Sequence, residues 1–277
     1  MKIAAADLSA FCAWLRSGEK SRATIEKYRR EAARFAAWLD GRDAGRELAC
    51  GYKEALAGER TPAGVNGAVA ALNCLFEFLG LPACRLKAVK VQRRIFRDEE
   101  KELTQAEYRR LLEAAKGKRN ERLLLVMETI CASGIRVSEL RFFTVEAVRT
   151  GRVEVTNKGK TRTVFLPGKL QKVLLKYARS RRIDAGPVFI TRSGRPLDRS
   201  NIWHEMKALC KAARVAEGKV FPHNLRHLFA RTFYGLEKDI VRLADILGHS
   251  SVNTTRIYTM ESGETHRRQL DKMRLVI

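Results

Sequence analysis

Between Phe221 and Tyr258 the chain reads FPHNLRHLFARTFYGLEKDIVRLADILGHSSVNTTRIY, which gathers His223, Arg226, His249 and Tyr258 into one helical region. These are the residue types of phosphate chemistry: a permanently charged guanidinium to hold an anion, imidazoles that exchange protons near neutrality, and a phenol able to serve as a nucleophile. His223 and Arg226 lie three apart on a segment opened by Pro222, so their spacing predicts that both leave one face of a helix. Gly248 ends the next helical stretch with His249 just beyond it, and Tyr258 closes the segment SVNTTRIY. The four positions can converge on one oxyanion.

HNLRH followed by LGHSSVNTTRIY resembles the H-x-L-R-H and L-G-H…T-T…Y boxes of the tyrosine recombinases, the phage integrase family. Upstream, SGIRVSEL at residues 133–140 resembles the family's first arginine box, and VTNKGKTRTVFLP carries a lysine where the family keeps one on a β-hairpin. The likeness covers about the last two thirds of the chain, and six polar positions recur in one order. It implies DNA strand cleavage and rejoining through a 3′-phosphotyrosyl link and a Holliday junction, carried out by a tetramer on two DNA sites.

Attack on a DNA phosphodiester requires a nucleophile, neutralisation of the anionic phosphorane, and a proton for the departing sugar oxygen. At a reference pKa of about 10, only about one phenol in a thousand is ionised at pH 7, a handicap of roughly 4 kcal/mol that nearby cations or a base must remove. Tyr258 is the expected nucleophile, because a covalent phosphotyrosyl bond conserves the energy of the broken one and allows religation without ATP. Arg136 and Arg226 are expected to clamp the non-bridging oxygens, where a planar fork matches phosphate geometry. Lys158 aligns with the family's hairpin lysine as general acid for the 5′ oxygen; Lys160, two residues on and on the same strand face, is its rival. His223 is expected to accept the tyrosine proton and His249 to donate to a phosphate oxygen, while His227 braces the helix behind the site. Glu139, three after Arg136, either orients a basic side chain of the site or forms a plain helical ion pair. His223 and His227 also have the i, i+4 spacing of a zinc pair, yet Asn224 stands where a catalytic glutamate would, and no third ligand is nearby. No metal and no other cofactor is expected.

The rest of the chain must position these groups. At 277 residues and 45% hydrophobic it suits two domains, each with its own core. Against 31 acidic residues stand 54 Lys plus Arg, a net charge of +23, far beyond what solubility needs, so a polyanion partner follows. Double-stranded DNA is favoured over a membrane surface, since no apolar run of about 18 residues and no signal peptide is visible, and a cytoplasmic location is expected. The six cysteines show no C-x-x-C pair and sit mostly inside apolar helical patterns, the pattern of reduced, packed thiols.

The expected fold is mainly α with a small β-sheet, in three parts: a helical module over 1–86, a linker over 87–101 and a second domain over 102–277. A short helix from Asp7 to Ser17 is followed by TIEKYRREAARFAAWLD, whose Ile25, Tyr28, Ala32, Phe35 and Leu39 form an apolar stripe opposite a basic face with Lys27, Arg29, Arg30 and Arg34. A looser stretch with Gly41, Gly45, Gly51 and Gly58 precedes a helix capped by Thr61 and Pro62, with Val65, Val69, Leu72, Phe76 and Leu79 inward. This module resembles the family's core-binding (SAM-like) domain. Lys27, Arg30 and Arg34, with Lys90, Arg93 and Arg94 of the linker, are the expected phosphate contacts.

In the second part Thr104 and Glu107 make a capping box, Asn120 to Ala132 reads as a core helix, and a new helix beyond Gly134 is expected to carry Arg136 and Glu139. RVEVT and TRTVFL read as a hairpin, followed by a helix from Lys169 to Arg182, a short strand VFI and one helix from Asp198 to Arg214. The front module starts almost at Met1, which fits an Xer-like compact architecture without an arm-type DNA-binding domain. The tail after Tyr258 is expected to dock on a neighbouring protomer. Two other readings stand beside site-specific recombination: a type IB topoisomerase-like relaxation of DNA, and a DNA-binding regulator without chemistry.

Overall fold

The computed structural model describes residues 1–91, 99–157, 159–191, 193–260 and 263–273, without the side chains of 99, 263–266 and 269. Lys158, Arg93 and Arg94 lie outside the described residues. The chain forms two compact units, residues 1–93 and 94–277.

In the first unit, Ser21 caps α2 (Arg22–Leu39) by accepting from the Thr24 amide, and Thr61 caps α4 (Pro62–Phe78) with proline in its first turn. Together with α1 (Ala5–Ser17) they bury Phe11, Leu15, Phe35, Leu72, Leu75 and Phe76. The glycine-bearing stretch is not loose: it is a helix, α3 (Arg46–Glu59). Its Ala49, Tyr52 and Leu56 repeat at 3 and 4 and are buried, and Gly51 packs under the Trp38 ring. Tertiary packing outweighs the roughly 1 kcal/mol that each glycine costs a helix. Beyond α4, Asn73 exchanges two hydrogen bonds with the Leu86 backbone (2.9 and 2.7 Å) and Asn66 does the same with Val89. The start of the 87–101 segment is therefore fastened along α4. Lys27, Arg30, Arg34 and Lys90 are exposed; Arg34 also reaches the buried Glu31 at 3.3 Å.

The second unit begins with a short 3₁₀ turn, Glu99–Lys101, and α5 (Gln105–Gly117), opened by the Thr104–Glu107 capping box. Apolar α6 (Glu121–Ser133) ends at Gly134 in the left-handed region (φ 65°). The next element is not a helix carrying Arg136: Arg136 is the extended N-cap of a 3₁₀ segment, Val137–Phe142, and the Glu139 carboxylate accepts from its amide at 2.8 Å. After α7 (Val145–Thr150), β1 (Arg152–Asn157) and β2 (Lys160–Phe165) pair antiparallel from Arg152↔Phe165 to Asn157↔Lys160. Val153, Val155 and Val164 point into the core. VFI at 188–190 does not add a strand to this sheet. Val188 donates to the Phe143 carbonyl and Ile190 makes an isolated bridge with Pro196, so the segment is buried and extended but pairs only locally. Beyond α8 (Gly168–Ser180), the expected single helix from Asp198 is two, α9 (Arg199–Lys207) and α10 (Cys210–Ala213), broken at Ala208 and Leu209 where bonds shorten to 3₁₀ type. Then come α11 (Pro222–Glu237), α12 (Ile240–Leu247), α13 (Val252–Thr255) and, after a 3₁₀ turn at Arg256–Tyr258, α14 (Gly263–Met273). The six cysteines are free thiols. Among the described residues no helix is long and apolar enough to cross a membrane.

Candidate active site

Arg226 is the centre of the arrangement. It sits on α11, which packs on α6, and its side chain is 1% exposed. One terminal nitrogen donates to the Gly134 carbonyl and the other to the Leu247 carbonyl, both at 2.7 Å. Those carbonyls are the unsatisfied C-terminal groups of α6 and α12, where a helix carries partial negative charge, so the cation is held by two helix ends at once. Among the described residues its Nε has no hydrogen-bond partner. Burial and the neighbouring Arg136 push the Arg226 pKa down to about 10, which leaves it a cation at neutral pH.

His249 follows Gly248, whose left-handed backbone (φ 65°) ends α12 and turns the chain back toward Arg226. Its Nε2 lies 3.0 Å from an Arg226 Nη and its Nδ1 2.8 Å from the Thr255 hydroxyl. Guanidinium nitrogens only donate, so Nε2 accepts and the single proton of the neutral ring belongs on Nδ1, where Thr255 receives it. Burial first, then Arg226, Arg136 and Arg162, hold His249 down to about 4. His223 opens to the surface, and burial of its ring followed by Arg226, Arg136 and Arg199 lowers its pKa as well. These shifts share one electrostatic cause besides burial: neighbouring guanidiniums disfavour the charged form of each group.

Tyr258 is buried, at 4% exposure, against Ala230, Leu243 and Leu247. Its ring meets His227 edge-on at 4.9 Å and stacks on His249 at 6.1 Å. His227 also touches His223, 4.6 Å between centroids. Its ring therefore contacts both His223 and Tyr258; among the described residues its buried Nε2 has no hydrogen-bond partner, and its pKa is down to about 4 through burial, His223 and Arg226. The i, i+4 spacing from His223 gave the contact but not the direction of the ring.

Arg136 lines the same cleft as His249. Glu139, 1% exposed, accepts from the Arg136 amide and from its guanidinium at 3.0 Å. It also accepts twice from Arg162 of β2, at 3.0 and 2.8 Å. Burial alone would raise the Glu139 pKa, but the bonds from Arg162 and the Arg136 backbone hold it below the ordinary carboxylate range. The signal for Arg162 in the sequence is its position two after Lys160, on the same strand face, beside the lysine that the family resemblance singles out. A cleft of about 640 Å³ is lined by Arg136, Lys160, Arg162, His249 and Thr254. Among the described residues no group of three His, Cys, Asp or Glu side chains is placed to hold a metal.

Guanidiniums, neutral imidazoles and a buried phenol gathered in one unit are the equipment of phosphodiester transfer, and that unit is mainly helical with a hairpin. Residues 101–264 match the phage integrase family. Tyrosine recombinase XerA of Thermococcus kodakarensis (strain ATCC BAA-918 / JCM 12380 / KOD1) is 32% identical over 269 residues, 93% of this chain and 91% of that protein. Among solved structures, XerH site-specific recombinase bound to difH substrate in a pre-cleavage complex superposes with TM-score 0.72 at 19% identity, covering 96% of this chain and 84% of that one. A lambda integrase tetramer bound to a Holliday junction gives 0.74 at 18%, over 91% and 76%. The chain belongs to the phage integrase family, and it is a tyrosine-type enzyme of site-specific DNA recombination.

Proposed function

We propose that Tyr258 attacks the scissile phosphorus of duplex DNA. Its oxygen forms a bond to phosphorus as the bond to the 5′ oxygen breaks, leaving a 3′-phosphotyrosyl link and a free 5′ hydroxyl. Arg136 and Arg226 hold the non-bridging oxygens, His223 takes the phenolic proton, and Lys158 on the hairpin protonates the leaving oxygen. His249 keeps Arg226 aimed and, once the phosphate's charge raises its basicity, donates from Nε2. Attack by the 5′ hydroxyl of the partner duplex reverses the step and completes strand exchange. The observation that carries this reading is the buried Tyr258 ring against His227, in the same chain as buried Arg226 and its His249 partner.

Residues 1–86 act as the core-binding module and 102–277 as the catalytic domain, joined by 87–101. Lys27, Arg30, Arg34, Lys90, Arg93 and Arg94 meet backbone phosphates. The active assembly is a homotetramer on two duplexes, working in the cytoplasm, and the tail after Tyr258 docks on a neighbouring copy. The lambda integrase tetramer bound to a Holliday junction supports this assembly, and XerH bound to difH substrate supports a DNA partner.

The decisive experiment incubates wild type and Tyr258→Phe with nicked suicide duplexes carrying candidate sites and looks for a denaturation-resistant protein–DNA adduct. Adduct with wild type alone is the expected result. Adduct in both proteins, or relaxation of plasmids that lack any site, would remove this reading.

A further inference from the structure

Arg162 makes contacts that join three separate parts of the site. Its terminal nitrogens bond both oxygens of buried Glu139, at 3.0 and 2.8 Å, and its Nε donates to the Ile246 carbonyl at 3.1 Å. Ile246 lies in the last turn of α12, just before Gly248 and His249. The Arg162 stem covers Gly248 so closely that an added Cβ there would fall 2.8 Å from its Cδ. One side chain of β2 thus touches the acid that grips Arg136 and the turn that presents His249, while sharing a strand face with Lys160.

The charge balance around Glu139 gives this contact a chemical consequence. The carboxylate accepts four hydrogen bonds: two from Arg162, one from the Arg136 amide and one from the Arg136 guanidinium. Arg162 thereby neutralises the acid in a bidentate fork, which leaves the charge of Arg136 directed at the cleft. With Arg162 gone, Glu139, 1% exposed in the intact protein, keeps Arg136 as its sole guanidinium partner among these contacts. A buried carboxylate left half paired is costly, and it would draw Arg136 onto itself and away from an incoming phosphate.

We infer that Arg162 is a positioning residue of the phosphate clamp: it holds Glu139 through two bonds so that Arg136 spends a single guanidinium contact on that acid and keeps its other nitrogens for the scissile phosphate, and it fastens the lysine hairpin to the His249 turn. The inference rests on the proposed phosphate-binding role of Arg136 but not on Tyr258 acting as a nucleophile, so the two can fail separately.

The test uses the full-length protein and inorganic phosphate, followed through the His249 ring-carbon proton in an NMR titration. This resonance reports the site itself rather than the many other basic residues. Four proteins are compared: wild type, Arg162→Ala, Arg162→Lys and the double variant Glu139→Gln/Arg162→Ala. Arg162→Ala is expected to weaken phosphate at His249 about tenfold or more, the size of one lost charge-assisted contact. Arg162→Lys, which keeps charge but not the fork, should fall between it and wild type. The double variant should regain much of the lost affinity, because an uncharged amide no longer competes for Arg136. A residue with only a structural role predicts the opposite order, since removing both partners would loosen the site further. If Arg162→Ala fails to fold, the lysine and double variants still decide the matter. Equal phosphate affinity in wild type and Arg162→Lys, or a double variant that binds no better than a misfolded or weakened single one, overturns the inference. Adduct formation on the suicide duplex is scored separately, and its absence in wild type would count against the Tyr258 chemistry alone.

Discussion

Arg226 offers only part of its guanidinium to a substrate, because two of its hydrogen bonds already hold the ends of α6 and α12. Arg226→Ala should therefore cost stability as well as activity, about 2–4 kcal/mol from the cavity and two unpaired carbonyls, measured by urea denaturation. Arg226→Lys separates the effects: it should fold, yet lose roughly 100-fold or more in cleavage, equivalent to about 2.7–4 kcal/mol of barrier. Tyr258→Phe removes one oxygen from a well-packed ring, so the melting temperature should stay near that of wild type while covalent adduct disappears. The imidazoles predict a pH dependence. Unfolded histidine titrates near 6.5, whereas His227 and His249 in the folded protein titrate at about 4. Between those values the unfolded chain binds more protons, so stability is complete above about pH 6.5 and falls as the pH drops toward 4. His249→Gln should flatten part of that decline in urea midpoints taken at pH 7.5 and pH 5.

At the level of elements, the site depends on where helices stop. Gly134 ends α6 at φ 65°, and a Cβ there would lie 2.3 Å from the Phe229 ring on α11. Gly134→Ala should lose about 2 kcal/mol or more from strain and overpacking, read as a lowered urea midpoint, and should misplace the carbonyl that anchors Arg226. Much of this was legible in the sequence. Gly134 and Gly248 mark helix ends, Thr104 with Glu107 marks a start, and the change to short β-rich runs, RVEVT and TRTVFL, marks the hairpin. What was not legible had contacts as its cause. Gly51 and Gly58 argued against α3 because the cover supplied by Trp38 is invisible along the chain. Val188 to Ile190 has strand composition, but its backbone partners, Phe143 and Pro196, come one at a time. Arg136 turned out to cap a 3₁₀ segment because Glu139 reaches back to its amide, a bond that serves equally to aim the arginine. Arg162 stayed hidden among 54 cationic residues until its carboxylate partner was seen.

For the molecule as a whole, a net charge of +23 predicts binding dominated by counterion release. DNA affinity should drop by about 10³ or more between 50 and 200 mM salt if six to ten phosphates are neutralised, measurable as the slope of log affinity against log salt. In the proposed tetramer the docking tail would present Leu270 and Met273 of α14, both of which are exposed. Leu270→Glu/Met273→Glu should leave the melting temperature within a degree or two but reduce higher-order complexes on DNA in light scattering. The neighbours of Tyr258 have one more consequence. Because its ring rests on His227 and His249 of its own polypeptide, the proposed chemistry expects each subunit to use its own phenol. A mixture of subunits blocked at Tyr258 with subunits blocked at Arg226 should then form no covalent adduct on the suicide duplex, and adduct in that mixture would show a phenol acting across copies.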